Sequence, residues 1–197
     1  MPETPHTPTE DAETPRPSET MMDFAEREGR DFLAAYINHT KERYLSEGVT
    51  VDNFCYFPAL DTEPSKVEIQ YTPIRSQEGH ESITHGGISL FMIDSSSGAF
   101  AMSAGKPDQV AITDEHRDVI FSGSVRTGIP TRVVSREATE RELKKEDMNQ
   151  GLNKRQILVY TDVIQGGKVR VTAKTICTLL TKKSLDRTRR SRSDTIN

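Results

Sequence analysis

The sequence predicts an α+β domain in which an antiparallel β-sheet wraps one central α-helix, with a further helix added on the N-terminal side. Three observations predict it. Residues 86–104 read as a helix with apolar groups in nearly every direction, since Ile88, Leu90, Phe91, Met92 and Ile93 precede a lone carboxylate, Asp94, and Ala99, Phe100, Ala101 and Met102 follow it; such a helix belongs in a core. Val67, Ile69 and Tyr71 alternate with Glu68, Gln70 and Thr72, the pattern of a strand with one wet face. Residues 156–164 and 168–180 flank Gln165-Gly166-Gly167, the clearest hairpin in the chain. Strand, buried helix, then antiparallel strands joined by short turns is the order of an α+β domain.

Length and composition set the bounds. At 197 residues and 34% hydrophobic content, the chain fills one modest core, and two would be hard to fill. A formal net charge of −4 gives no global electrostatic reason to expect nucleic acid. No apolar run approaches the roughly 18 to 20 residues of a membrane span. The N-terminus, rich in Pro, Thr and Glu, fits neither a secretory signal nor a transit peptide, so a cytoplasmic location is the default. The two cysteines, Cys55 and Cys177, have apolar neighbours and read as buried thiols in a reducing compartment.

In chain order, residues 1–20 hold five prolines and almost no bulky apolar groups, the composition of a disordered tail. Residues 21–48 form an amphipathic helix of roughly 25 residues, started by a capping box of Thr20 with Asp23 and stopped at Gly48. Its expected role is packing on the outside of the domain. Residues 52–182 form the main domain. It opens with extended pieces at 54–60 and 67–72, and the polar loop 75–84 delivers the chain to the central helix. Beyond Gly105-Lys106-Pro107-Asp108 lie 110–113 and 119–125, separated by the charged run 114–118; one long strand bulged at the charges is expected, with two short strands as the alternative. A strand candidate at 131–143, whose latter half could equally be helical, and a polar connection at 144–154 lead to the hairpin. Residues 183–197 read as a basic, disordered tail.

His85-Gly86-Gly87 opens the central helix and leaves its first N–H groups without intrahelical partners, at the positive end of the macrodipole. That is a natural place to hold a developing negative charge. His-Gly-Gly at a helix start, an acidic residue nine positions after the His, the small-residue run Ser95-Ser96-Ser97-Gly98-Ala99, and antiparallel strands downstream together resemble the hotdog-fold acyl-CoA thioesterases of the PaaI-like group, in the 4-hydroxybenzoyl-CoA thioesterase superfamily. The resemblance covers roughly residues 66–180, including 121–128, and leaves out the N-terminal helix and both tails. One departure is plain: where many members have Asn six or seven residues before the His, this chain has Gly79 and Glu78. Gln77 and His80 are the candidate replacements.

The resemblance implies a hotdog fold and hydrolysis of a fatty or aryl acyl-CoA, in lipid metabolism or a related pathway, with an acyl-carrier-protein thioester as the alternative carrier. It implies Asp94 as general base or nucleophile, the Gly87 N–H on the thioester oxygen, and His85 shaping the turn or the substrate loop. The substrate-contacting candidates are Gly86, Gln77, His80 and, on the strand after the helix, Thr113 or Asp114. No metal or redox cofactor is implied, coenzyme A being part of the substrate.

Helix geometry adds a constraint of its own. Seven residues place Gly87 and Asp94 on one face but roughly 10 Å apart along the axis, so one carbonyl cannot reach both. A homodimer, alone or doubled into a dimer of dimers, with antiparallel central helices would bring the start of one to the middle of the other. Competing functions are a hotdog-fold acyl-CoA or acyl-carrier binding protein without turnover, and a dehydratase or hydratase, which is disfavoured because no catalytic His with a partner acid is apparent. His116 and His80 read first as exposed polar histidines, and the triple serine as a packing surface, since no nucleophile elbow accompanies it.

Overall fold

The computed structural model describes residues 18–46, 50–60, 63–139, 142 and 152–185. Of the tails expected at 1–20 and 183–197, residues 1–17 and 186–197 lie outside the described residues, as do the helix stop at Gly48 and most of the 144–154 connection, while 183–185 belong to a helical turn at 182–185. Glu19–Thr20, expected to belong to the tail, instead forms a short strand, β1. Thr20 then caps the first helix, because Asp23 N–H donates to Thr20 Oγ1 at 3.1 Å and the Thr20 hydroxyl donates to Asp23 Oδ2 at 2.7 Å.

The N-terminal helix is two helices, α1 (Met21–Arg27) and α2 (Asp31–Ser46). Gly29 adopts φ +61°, a conformation open to glycine at little cost. Arg30 N–H reaches back to Ala25 O at 2.8 Å and Gly29 N–H to Glu26 O at 3.2 Å, the two bonds of a Schellman stop. Hydrophobic periodicity runs through this break because Phe24, Ala25, Leu33 and Ile37 are all buried in the same core.

The rest of the chain is β2 (Thr50–Phe57), β3 (Lys66–Thr72), β4 (Glu78–His80), β5 (Ile83–Thr84), α3 (Gly86–Ala104), β6 (Gln109–Phe121), β7 (Thr131–Glu137), β8 (Gln156–Gln165) and β9 (Lys168–Thr181). Seven strands form one sheet in the order β1-β2-β3-β7-β8-β9-β6, and β4-β5 is a separate small hairpin that leads into α3. All pairings in the large sheet are antiparallel. The β8–β9 turn uses Gly166 and Gly167 at φ +60° and +69°, the pair of positive φ values that a two-residue hairpin of matching twist requires. β3 buries Val67, Ile69 and Tyr71 while its other positions are half-buried, as alternation dictates.

Several boundaries differ from expectation. β2 ends at Phe57, and β7 ends at Glu137, after which Glu142 folds back to pair with Arg136 at 2.7 Å. β6 is the single long strand expected, bulged at its charged run, with register shifts between Thr113 and Glu115 and between Arg117 and Ile120. It stops at Phe121, where Ser122 and Gly123 N–H both turn to Arg170 O.

Helix α3 lies against β3, β6, β7, β8 and β9. Every residue from Ser95 to Ser103 is buried. Its other side is covered by α2 and the turn before it: the Tyr36 hydroxyl donates to Ser95 O at 3.2 Å, and Arg30 Nη1 donates to Met102 O at 2.9 Å and Gly105 O at 2.7 Å. Arg30 thereby supplies donors to carbonyls at the C-terminal end of α3, where the last turn has none of its own. Both cysteines are free thiols. Cys177 is buried, which pushes its thiol up to about 12, whereas Cys55, expected to be buried, is only half so.

Candidate functional site

Two stretches of α3 carry the site residues, and different elements hold each. At the start, His85 is the N-cap: its Nδ1 accepts from Gly87 N–H at 3.0 Å, and its carbonyl accepts from Ile88 N–H at 2.9 Å. An Nδ1 that accepts carries no proton, so this His85 is the neutral Nε2–H tautomer. His85 N–H donates to Gln77 O at 2.8 Å, which ties the cap to the short 3-10 turn Arg75–Gln77. Gln77 is buried, with its amide oxygen accepting from Ile74 N–H at 3.0 Å. The loop closes tightly on the cap, because a Cβ at Gly79 would stand 3.1 Å from the His85 ring.

Two open clefts flank this start. One, of about 410 Å³, is lined by Gln77, Glu78, His85, Gly87 and Ile88. The other, of about 370 Å³, is lined by Thr84, Gly86, Ser89, Phe121 and Ser122 among others. Phe121 is over half exposed, and its ring lies 3.5 Å from where a Gly86 Cβ would be. Thr84 Oγ1, buried in the second cleft wall, has no hydrogen-bond partner among the described residues.

Near the middle of α3, Asp94 emerges from the core instead of lying in it, its side chain 46% exposed. Thr113 Oγ1 of β6 donates to Asp94 Oδ1 at 2.7 Å, and His116 Nε2 stands 3.5 Å from the same oxygen. His116 Nδ1 in turn lies 2.9 Å from Thr175 Oγ1 of β9, a fully buried hydroxyl. Arg43 of α2 sits over the Phe91 ring at 4.7 Å and contributes its charge from the other side. The His116 contact does most to hold the Asp94 carboxyl below the usual carboxylate range. Burial pushes it up, while Thr113 and the Arg43 charge add to the lowering.

Of the residues singled out in the sequence, Asp94 and Thr113 are thus in contact, and His85, Gly86, Gly87 and Gln77 cluster at the helix start. Asp114 and His80 are not brought to Asp94. Asp114 is the residue left over at the β6 bulge and faces the outer side of the sheet, where Oδ2 accepts from Gln156 Nε2 at 2.8 Å and from the Thr178 hydroxyl. His80 is exposed on β4, opposite Ile83. His116, expected to be an exposed polar histidine, is half-buried against Asp94. Regular alternation from Thr113 would send its side chain outward; the single extra residue between Thr113 and Glu115 turns it inward. The charged run 114–118, readable as a bulge, is the sequence signal for that inversion.

Among the described residues no group of three or more His, Cys, Asp or Glu side chains could hold a metal ion. Among them, too, no helix is long and apolar enough to cross a membrane. No family model and no curated protein matches the sequence. Solved structures do match the fold. The PaaI protein of the phenylacetic acid degradation operon of E. coli aligns with a TM-score of 0.53 at 9% identity, over 76% of this chain and 97% of that one. A phenylacetic acid degradation-related protein from Ralstonia eutropha aligns at 0.52 and 15% identity, over 73% and 98%. A thioesterase from Haemophilus influenzae aligns at 0.51 and 10% identity, over 71% and 82%. At such identities the likeness is one of fold, and the fold is the hotdog fold, α+β with its sheet around a central helix.

Proposed function

We propose that this hotdog-fold protein is an acyl-CoA thioesterase, cleaving a fatty or aryl acyl-CoA into a carboxylic acid and coenzyme A. The observation that carries the reading is Asp94: a carboxylate held in its charged form by Thr113 and His116, half open to solvent, on a helix otherwise given to the core. The structural neighbours include a thioesterase and support the same class. Asp94 takes a proton from a water molecule as the water oxygen adds to the thioester carbonyl. The tetrahedral oxyanion is received by N–H groups at the start of the partner's α3. The C–S bond then breaks, and the proton held on Asp94 passes to the thiolate. Coenzyme A enters as part of the substrate, and an acyl carrier protein could present the same thioester.

The composite site rests on β6. That 13-residue strand ends the sheet order and leaves Ile112, Ile120 and Phe121 exposed on either side of its charged middle, and the unpaired N–H and C=O groups of an edge strand can pair with another strand. Along α3, Thr113 marks the Asp94 level and Phe121 the Gly86 level. Two β6 strands paired antiparallel about Arg117 therefore set the Asp94 level of one copy against the helix start of the other. This arrangement makes a homodimer with two sites, which could double into a dimer of dimers.

One observation favours a second reading, an acyl-CoA binding protein without turnover. Gly87 N–H, the expected oxyanion donor, is already taken by His85 Nδ1, so the His85 ring must turn away before that donor is available. A panel of acyl-CoAs of different chain length, with aryl thioesters, decides between them by release of free thiol. The thioesterase reading expects turnover by the wild type and near-total loss in Asp94→Asn. Tight binding without thiol release by the wild type establishes the second reading instead, and full activity of a monomer at high dilution overturns the shared site.

A further inference from the structure

The Asp94 site contains more than its carboxylate and hydroxyl. Both polar contacts of Asp94 fall on one oxygen, Oδ1, from Thr113 Oγ1 at 2.7 Å and from His116 Nε2 at 3.5 Å; Oδ2 has no partner among the described residues. We infer, on the basis of the proposed reaction, that His116 is a positioning residue that turns Oδ1 toward β6 and thereby leaves Oδ2 to take the proton. Thr175 completes the device. When its hydroxyl donates to His116 Nδ1, at 2.9 Å, the ring's proton is confined to Nε2, the nitrogen that faces the carboxylate. With the opposite tautomer a nitrogen lone pair would face Asp94 and repel it.

His116 acts through Asp94 and not on substrate, because both ring nitrogens are engaged inside the protein. This also separates the site from a hydratase dyad. A histidine that shuttles a proton to substrate needs one nitrogen exposed to it, and here Nε2 meets Asp94 while Nδ1 is held by a fully buried threonine. The approach at 3.5 Å is at the outer limit of a hydrogen bond, so much of the contact is electrostatic.

Other groups around the pair are accounted for. On α2 stand Arg43 and Tyr36, on β9 Cys177, all within electrostatic reach of Asp94. Along β6, Glu115 and Arg117 pair with each other at 2.8 Å, and Asp118 pairs with Lys174 of β9 at 2.7 Å. Arg43 reinforces the carboxylate from the α2 side, so removal of His116 weakens the hold on Asp94 without abolishing it.

The test reads Asp94 itself before it reads turnover. Carboxyl resonances of the protein labelled at aspartate carbons, with Asp94 assigned by its loss in Asp94→Asn, are titrated in the wild type, His116→Leu, His116→Gln and Thr175→Val. The Asp94 titration is expected at higher pH in His116→Leu and closer to wild type in His116→Gln, which keeps a donor. Thr175→Val, nearly isosteric, is expected to move it in the same direction as His116→Leu by a smaller amount. In the hydrolysis assay, His116→Leu is expected to lower kcat about tenfold, KM staying within about twofold, with the acid limb of the pH profile displaced upward. An Asp94 titration identical in the wild type, His116→Leu and Thr175→Val overturns the inference. If Asp94 responds to His116 but the wild type cleaves no thioester, the proposed reaction falls while the pairing stands.

Discussion

Helix α3 carries two clusters of small polar side chains that differ in one respect, closure. On the sheet side, Ser135 Oγ of β7 donates to Ser96 Oγ at 2.8 Å and lies 2.8 Å from Thr161 Oγ1 of β8, all three side chains being buried. On the β6 side, Asp94, Thr113, His116 and Thr175 form a chain of similar length, but its last member, Asp94, is nearly half exposed and ends in an open oxygen. The first cluster satisfies its hydroxyls against one another, which fixes how the helix sits on the sheet. The second holds a charge with its partners on one side only. Closed polar groups specify packing; a buried-to-open chain ending in a carboxylate has an acceptor left for something outside the protein.

The largest expected effect breaks the open cluster at its end. Asp94→Asn keeps the shape and a hydrogen bond to Thr113 while removing the base, and should lower kcat by about 10² to 10⁴-fold, or roughly 3 to 5 kcal/mol of barrier. Thermal unfolding should change by less than about 1 kcal/mol, since a half-exposed carboxylate is not part of the core. The second effect reverses the pattern. Ser135→Ala leaves the hydroxyls of Ser96 and Thr161 without their shared partner in a dry site, and should destabilise the fold by about 2 kcal/mol with kcat within about twofold of wild type. Adding Ser96→Ala and Thr161→Val to it should recover part of that loss, because removing all the polar partners costs less than orphaning some. Additive losses measured by urea unfolding would show that the three hydroxyls do not act as one network.

The two clusters were not equally legible in the sequence. Asp94 stood out because a charged residue interrupts an all-round apolar helix, whereas Thr113 was reached, as an alternative to Asp114, only through the family resemblance. The closed cluster could be read only as a triple serine suited to packing, since Ser135 and Thr161 come from strands 39 and 26 residues away from their partners. His116 was hidden for a different reason. Its inward direction depends on which residue of 114–118 is squeezed out of the ladder, and alternation alone assigns it to the wrong face. The break at Gly29 escaped similarly, because burial on both sides of it follows a continuous helical period. Elements defined by local pattern, α3, β3 and the β8–β9 hairpin, were therefore readable; features set by one inserted or left-handed residue were not.

The smallest expected effect concerns the third side of α3, which faces α2 and joins the two clusters to the N-terminal helices. A Cβ at Gly98 would lie 2.8 Å from the Tyr36 hydroxyl oxygen, and that hydroxyl is fixed by its bond to Ser95 O. Gly98→Ala forces α2 to shift, at a cost of about 1 to 3 kcal/mol for overpacking, while alanine in a helix interior returns about 1 kcal/mol relative to glycine. The net is a destabilisation of about 1 kcal/mol, measurable as a lower urea midpoint with unchanged slope. Because α2 also carries Arg43, whose charge helps keep Asp94 ionised, the same shift should move the Asp94 titration slightly toward higher pH. Tyr36→Phe combined with Gly98→Ala removes the clashing oxygen and should restore both quantities. If the midpoint recovers but the titration does not, Arg43 is positioned independently of the Tyr36 contact, and the closed and open sides of the helix are coupled only through His116 and β6.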